Sequence, residues 1–221
     1  GIVEKHPGRD INHPEDHAFI GIYRTPEAAL KCSLELRQHI LSSKRKTKYK
    51  SIDFKMGLCV GQPVTEDLGF FEEAVNLAEI LCNTALVSEI NTSRIFSQLS
   101  NSEDQLVENN GFRIVENQDV GFLISLYGFI HNNLDKETLS VDMLSREMVV
   151  SRAQLYRKIK SLTGVSPNHF IRNQRLDKAM NLIQMGNFNM SEIADEVGFT
   201  NPSYFSKCFQ NRFGISPSKI K

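Results

Sequence analysis

From Val120 onward, apolar residues recur at i, i+3, i+4 and i+7, interrupted by short polar stretches. That period predicts helices over 120–133, 140–147, 151–162, 167–185, 190–197 and 201–213, and it calls for no strand. The breaks carry helix-stop and helix-start signals: Gly164 before Ser166 and Pro167, then Gly186, Gly198, Asn201 with Pro202, and Gly214 before Ser216 and Pro217. The first half alternates in type instead. An apolar run over 18–23 reads as a strand, and Pro26 opens a helical pattern that continues through Ile40. Residues 52–60 alternate with period two, and 72–86 return to helical spacing with Ala74, Val75, Leu77, Ala78 and Leu81 inward. A short strand over 85–88, a helix near 90–99 and a strand over 112–115 follow, with 42–50 and 100–111 as polar loops. The expected architecture is two domains: an α/β layer domain over 1–118 and an all-α domain over 119–221.

Charge sharpens that division. Residues 1–118 carry 13 Lys+Arg against 17 Asp+Glu, a net of −4, and residues 119–221 carry 13 against 9, a net of +4. Phosphate binding needs local positive potential, so the second half fits a nucleic-acid-binding domain and the first does not. The basic run from Lys44 to Lys50 reads as a solvated loop rather than a phosphate patch. Four separated cysteines (Cys32, Cys59, Cys82, Cys208) without a C-x-x-C pair read as reduced core thiols rather than a zinc site or a disulfide framework. With no run of eighteen apolar residues and no charged-then-apolar leader, the expectation is a soluble, cytoplasmic protein with no membrane association.

Within the second half a motif occurs twice. The stretch Leu139, Ser140, Val141, Asp142, Met143, Leu144, Ser145 has its counterpart around Asn189, Met190, Ser191, Glu192, Ile193, Ala194, Asp195. A turn, a capping residue (Ser151 or Asn201) and a second helix then follow in the same register, with Leu155 matching Phe205. A short helix packed across a second one leaves the second helix's outer face free to enter a major groove roughly 12 Å wide. The inward faces are Leu155, Ile159 and Leu162 in one unit and Phe205, Phe209 and Phe213 in the other. Arg152, Tyr156 and Arg157, and Ser203, Tyr204 and Lys207, are left to face outward as donor-bearing side chains. The helix over 167–185 joins the two heads and would set their spacing, about one turn of duplex.

Residues 119–221 resemble the DNA-binding domain of the AraC family of bacterial transcription regulators. The resemblance is carried by Met148 to Lys160, Thr163-Gly164, Phe170-Ile171-Arg172, Arg175-Leu176, Ile193-Ala194, Gly198-Phe199, Tyr204 to Phe209, and Phe213-Gly214-Ile215-Ser216-Pro217. It implies base contacts from Arg152, Ala153, Tyr156 and Arg157, then Pro202, Ser203, Tyr204 and Lys207, and a final helix beginning near Lys221. Three roles have alternatives. Arg157 is either a base reader or a phosphate clamp. Tyr204 reads bases or is a half-buried aromatic holding the turn, and Arg172 and Arg175 support the fold or touch phosphate.

Residues 2–116 resemble a class III nucleotide cyclase domain, incomplete and ferredoxin-like. This rests on Asp53 to Val64, on Phe70 to Leu81, and on Ala85-Leu86-Val87-Ser88-Glu89. An active cyclase needs two metal-binding aspartates, a base-selecting Lys and Asp, and an Asn with an Arg four residues later. Asp16 matches one metal aspartate and Asn76 survives, while the other aspartate would precede residue 1. Glu15 and His17 replace turn glycines, Asn12 replaces the lysine, Gly69 its aspartate partner, and Ile80 the arginine. An apolar group cannot stabilise a developing phosphate charge, so no catalytic residue and no enzymatic activity are expected. His13, Asp16 and His17, with His6 near, are read as solvated loop residues rather than a metal site, and no cofactor is implied. The first half is expected to form a homodimer or to sense a small-molecule effector, and the whole to regulate transcription at double-stranded promoter DNA, with RNA polymerase as a further partner. The alternative is a nucleotide cyclase or other phosphoryl-transfer enzyme fused to a DNA-binding domain.

Overall fold

The structure is a computed structural model and describes residues 2–6, 8–11, 19–44, 54–61, 69–101, 111–186 and 188–220. The chain divides into two compact units, Gly1–Ile124 and Ser125–Lys221.

In the first unit, α1 (Ile2–Lys5) leads into β1 (Gly8–Ile11), which pairs antiparallel with β2 (Ile20–Tyr23) in the register Gly8↔Tyr23. Asn12, His13, Glu15, Asp16 and His17 lie outside the described residues. Helix α2 (Pro26–Lys44) runs four residues past its expected end, and the remainder of the basic run lies outside the described residues. A parallel three-stranded sheet has the order β3 (Met56–Leu58), β4 (Ile90–Ser93), β5 (Phe112–Val115). Helix α3 (Gly69–Thr84) crosses from β3 to β4, and α4 (Arg94–Leu99) follows β4 directly. Gly57 is what lets α3 lie so close to the sheet. A Cβ there would stand 2.0 Å from the Ala78 carbonyl oxygen and 2.5 Å from the Cys82 nitrogen.

One expectation needs correcting. Residues 85–88 are not a strand, and the strand falls on Ile90–Ser93, where a helix was expected to start. Ser88 sits at φ +67 and its N–H donates to the Phe54 carbonyl at 2.8 Å, which turns the chain before β4 begins. Leu86 and Val87 stay about half exposed, whereas all four residues of β4 are buried in the central strand. The polar ones among them find local work. Asn91 Nδ2 donates to Thr84 Oγ1 at 3.2 Å, and Ser93 Oγ accepts from the Phe96 N–H at 3.2 Å, capping α4. Around them Leu30, Cys32, Ile80, Leu81, Ala85, Ile90, Phe96 and Val115 form the buried apolar set.

The helical half follows the period closely. Its elements are α5 (Asn117–His131), α6 (Val141–Glu147), α7 (Arg152–Thr163), α8 (Pro167–Met185), α9 (Met190–Glu196) and α10 (Pro202–Phe213), with a 3₁₀ turn at Pro217–Lys219. Five of these helices, α6 to α10, have side-chain N-caps. Ser140, Ser151, Ser166, Asn189 and Asn201 accept N-terminal N–H groups, and the Ser151 and Asn189 backbone N–H groups donate in return to the Gln154 and Glu192 side chains, completing two capping boxes. Leu176, Ala179, Ile183, Ile193, Ala194, Val197, Phe199, Phe205, Cys208 and Phe209 make one buried cluster, with Phe205 and Phe209 rings 5.8 Å apart. Around the other head Leu144, Leu155, Ile159, Leu162, Phe170 and Ile171 are buried, and Tyr127 meets Phe170 edge-on at 5.2 Å. No helix among the described residues is long and apolar enough to cross a membrane.

All four cysteines are free; Cys32 and Cys208 are buried, whereas Cys59 and Cys82 are only partly so. Burial still pushes the Cys59 thiol up to about 11. At pH 8 Cys59 is therefore expected to react with iodoacetamide at least tenfold more slowly in the native chain than in urea, because only the thiolate attacks. Equal rates would show that the strand–helix contact does not shield it.

The two inter-helix turns share one geometry but not one residue type. The Val150 N–H donates to the Ser145 carbonyl at 3.0 Å, and the Phe199 N–H to the Ala194 carbonyl at 2.8 Å. The residue between turn and helix is left-handed in both, Val149 at φ +52 and Gly198 at φ +74. A β-branched side chain pays for that conformation in steric energy, and Val149, 89% exposed, recovers little by burial. Val149→Gly is expected to stabilise the helical half by about 1 kcal/mol. Gly198→Ala is expected to destabilise it by about 2 kcal/mol or more, since its Cβ would lie 2.5 Å from the Leu134 carbonyl oxygen. Urea denaturation of the two variants checks both signs.

Candidate nucleic-acid interface

Helix α7 turns about 100° per residue, so the inward set Leu155, Ile159 and Leu162 fixes the opposite face as Ala153, Arg157 and Lys160. The same construction on α10, from Phe205, Cys208 and Phe209, places Ser203, Lys207 and Gln210 outward. Arg157 and Lys207 occupy equivalent positions in the two heads, fifty residues apart in the numbering. All eight residues expected at the interface are exposed: Arg152, Ala153, Tyr156, Arg157, Pro202, Ser203, Tyr204 and Lys207.

They do not form one uniform row, however. Arg152, at the first position of α7, is ion-paired with Asp142 of α6 through its guanidinium nitrogens, so its charge is offset within the unit. Tyr156 projects from the flank of α7, half exposed. Tyr204 lies on the flank of α10, its ring 6.1 Å from that of Phe199 in the turn and 51% exposed. It therefore supports the turn while its hydroxyl remains available. Lys160 and Gln210, both exposed, continue the two rows three residues after Arg157 and Lys207, a spacing legible in the sequence. Lys160 also donates to the Gly164 carbonyl at 2.6 Å, favourable at the negative end of a helix.

Arg175 belongs to the framework. Its Nε donates to the Leu134 carbonyl at 3.2 Å and its Nη2 to the Lys136 carbonyl at 2.8 Å. Burial lowers its pKa, opposed by the charge of Glu137. The guanidinium fills the space beside Gly198, where a Cβ would stand 2.8 Å from Nη2. On the other side of α8, Arg212 chelates Asp177 with contacts of 2.6 and 2.7 Å from Nη2 and 3.0 Å from Nε, fastening α10 to α8.

Of the residues suggested for cyclase or metal chemistry, only His6, Gly69, Asn76 and Ile80 lie among the described residues. Asn76 is exposed on α3, while Ile80 is taken into the core. His6 Nε2 lies 2.9 Å from Glu35 Oε2, and that contact, followed by Lys5, holds Glu35 below the usual carboxylate range. Among the described residues no three His, Cys, Asp or Glu side chains group as a metal site would need.

Comparison with known proteins agrees with this geometry. A family model described as a helix-turn-helix domain matches residues 144–221. Histidine kinase P4 of Formosa agariphila is 39% identical over 103 residues, which are 47% of this chain and 8% of that protein. The HTH-type transcriptional activator RhaS of Mannheimia succiniciproducens is 32% identical over 93 residues, 42% of this chain and 34% of the relative. The Msm operon regulatory protein of Streptococcus mutans is 26% identical over 214 residues, 96% of this chain and 69% of the relative. The chain thus spans 8% and 34% of the length of the first two. The residues that carry the AraC pattern now have defined roles: Gly198 makes the turn, Phe205 and Phe209 fill the core, and Gly214 ends α10. Residues 144–221 form a helix-turn-helix domain, similar in sequence to that of an HTH-type transcriptional activator.

Proposed function

We propose that this chain is a sequence-specific, DNA-binding transcription regulator, with a boundary near residue 118 between the two working halves. Helices α7 and α10 enter adjacent major-groove segments of promoter DNA from one side of the duplex. The observation that carries this is the equivalence of the two heads. The outward rows Ala153, Arg157, Lys160 and Ser203, Lys207, Gln210 stand on helices held by the same cap and turn, in the half of the chain with net charge +4. Arg157, central in its row and with a fork of donors, is assigned to a base edge, guanine being its best-matched partner. Arg152, Ala153, Tyr156, Pro202, Ser203 and Tyr204 frame the two contacts. Such a protein works where the DNA is, in the cytoplasm, with RNA polymerase as a further partner.

The first half is assigned a regulatory role without catalysis: a degenerate cyclase-like domain that pairs two copies or senses a small molecule. The burial of Ile80 supports this, since the position where the resemblance expects a phosphoryl-stabilising cation carries a core side chain.

Arg157→Ala is expected to weaken binding to a selected site by about 1–3 kcal/mol and to relax one base position. Titration against single-base variants of the site checks this. An equal loss on every sequence would make Arg157 a phosphate contact. Asp142→Asn removes a negative charge beside α7 and releases Arg152. The expected result is DNA binding several-fold tighter at low salt with stability changed by less than about 0.5 kcal/mol, because the pair is exposed. Unchanged affinity would exclude Arg152 from the interface.

A further inference from the structure

The outward row of α10 borders a concavity. A cleft of about 410 Å³ opens between α8 and α10, lined by Arg172, Asn173, Tyr204, Lys207, Asn211 and Arg212. Leu176 and Cys208, both buried, close its floor. No carboxylate lines it, and the charge of Arg212 is already offset by Asp177. Arg172 and Lys207 have no ion-pair partner among the described residues. They bring two uncompensated positive charges, one from each helix, to a concave wall that also carries the amides of Asn173 and Asn211 and the Tyr204 hydroxyl.

The first head cannot build the equivalent. Gln154, at the position of Tyr204, is held by Ser151, with its Oε1 accepting from the serine N–H at 2.9 Å and the hydroxyl at 2.8 Å. Leu162, at the position of Arg212, is buried. Lys207 stands at the border between the outward row and the cleft, so a duplex docked on that row would carry its backbone past the cleft mouth.

We propose that this cleft holds one backbone phosphate of bound DNA, shared by Arg172 and Lys207. Such a contact carries no base information; it fixes the depth and register at which α10 enters the groove. Lys207 then positions, and base reading by the second head falls to Ser203 and Gln210. The proposal rests on the DNA-binding reading above and deepens it.

The test is the salt dependence of binding of the full chain to a short random-sequence duplex, followed by fluorescence anisotropy. Each phosphate neutralised contributes roughly 0.9 to the slope of log K against log salt. The Arg172→Gln/Lys207→Gln double variant is expected to lower the slope by about 0.9, one phosphate's share, and each single variant by less, because the cation that remains still faces the phosphate. Arg172→Lys keeps the charge and is expected to keep the wild-type slope. An unchanged slope in the double variant, or a loss of about 1.8 as for two separate phosphates, would overturn the shared phosphate while leaving DNA binding intact. The same loss in Arg172→Lys as in Arg172→Gln would also overturn it, since the residue would then act by shape. A wild-type chain with no salt-dependent binding would overturn the DNA-binding reading itself.

Discussion

In each head, the angle between the first and second helices is set by a turn in which one residue is left-handed and the next N–H reaches back to a carbonyl five residues earlier. A side-chain cap then restarts the chain as the second helix, from Ser151 or Asn201. Everything that matters for a groove-facing surface depends on this. If the turn opened, the inward apolar sets would lose their partners, and Arg157 and Lys207 would no longer occupy matching positions. The two heads solve the problem with different side chains, Val149 and Gly198. The second turn has Leu134 and Arg175 pressed against it, leaving no room for a side chain. The first turn is open to solvent, which is why a strained valine can be accommodated there.

That crowding also explains the division of labour among the cations of the helical half. Arg175 is spent on the carbonyls of Leu134 and Lys136, and Arg212 on Asp177, so both hold helices in place. Arg152 is balanced by Asp142. Arg157, Lys160, Lys207 and Arg172 are among those that keep charge to offer a polyanion. Net charge alone would not have separated these groups; geometry does.

The sequence made the helical half legible because its apolar period is long and its punctuation consistent. Every helix after residue 116 lies within a few residues of its expected bounds. The first half was less legible for a local reason. Ala85 to Val87 has the composition of a short strand, but the turn at Ser88 is fixed by a bond to Phe54, about thirty residues away, which no local pattern reveals. Similarly, the requirement for glycine at position 57 comes from α3, more than twenty residues away in sequence, and no local pattern shows it. At the interface the row positions followed from spacing, whereas the Asp142–Arg152 pair spans a turn and depends on three-dimensional placement.

The most direct test of two heads working as one reader is selection of genomic DNA fragments by the purified chain at near-physiological salt, with the recovered fragments then titrated at several salt concentrations. The account predicts one motif with two half-elements whose centres are about 10 base pairs apart, bound more tightly than scrambled DNA at every salt concentration. Recovery of a single short element, or of fragments sharing no motif, would contradict it.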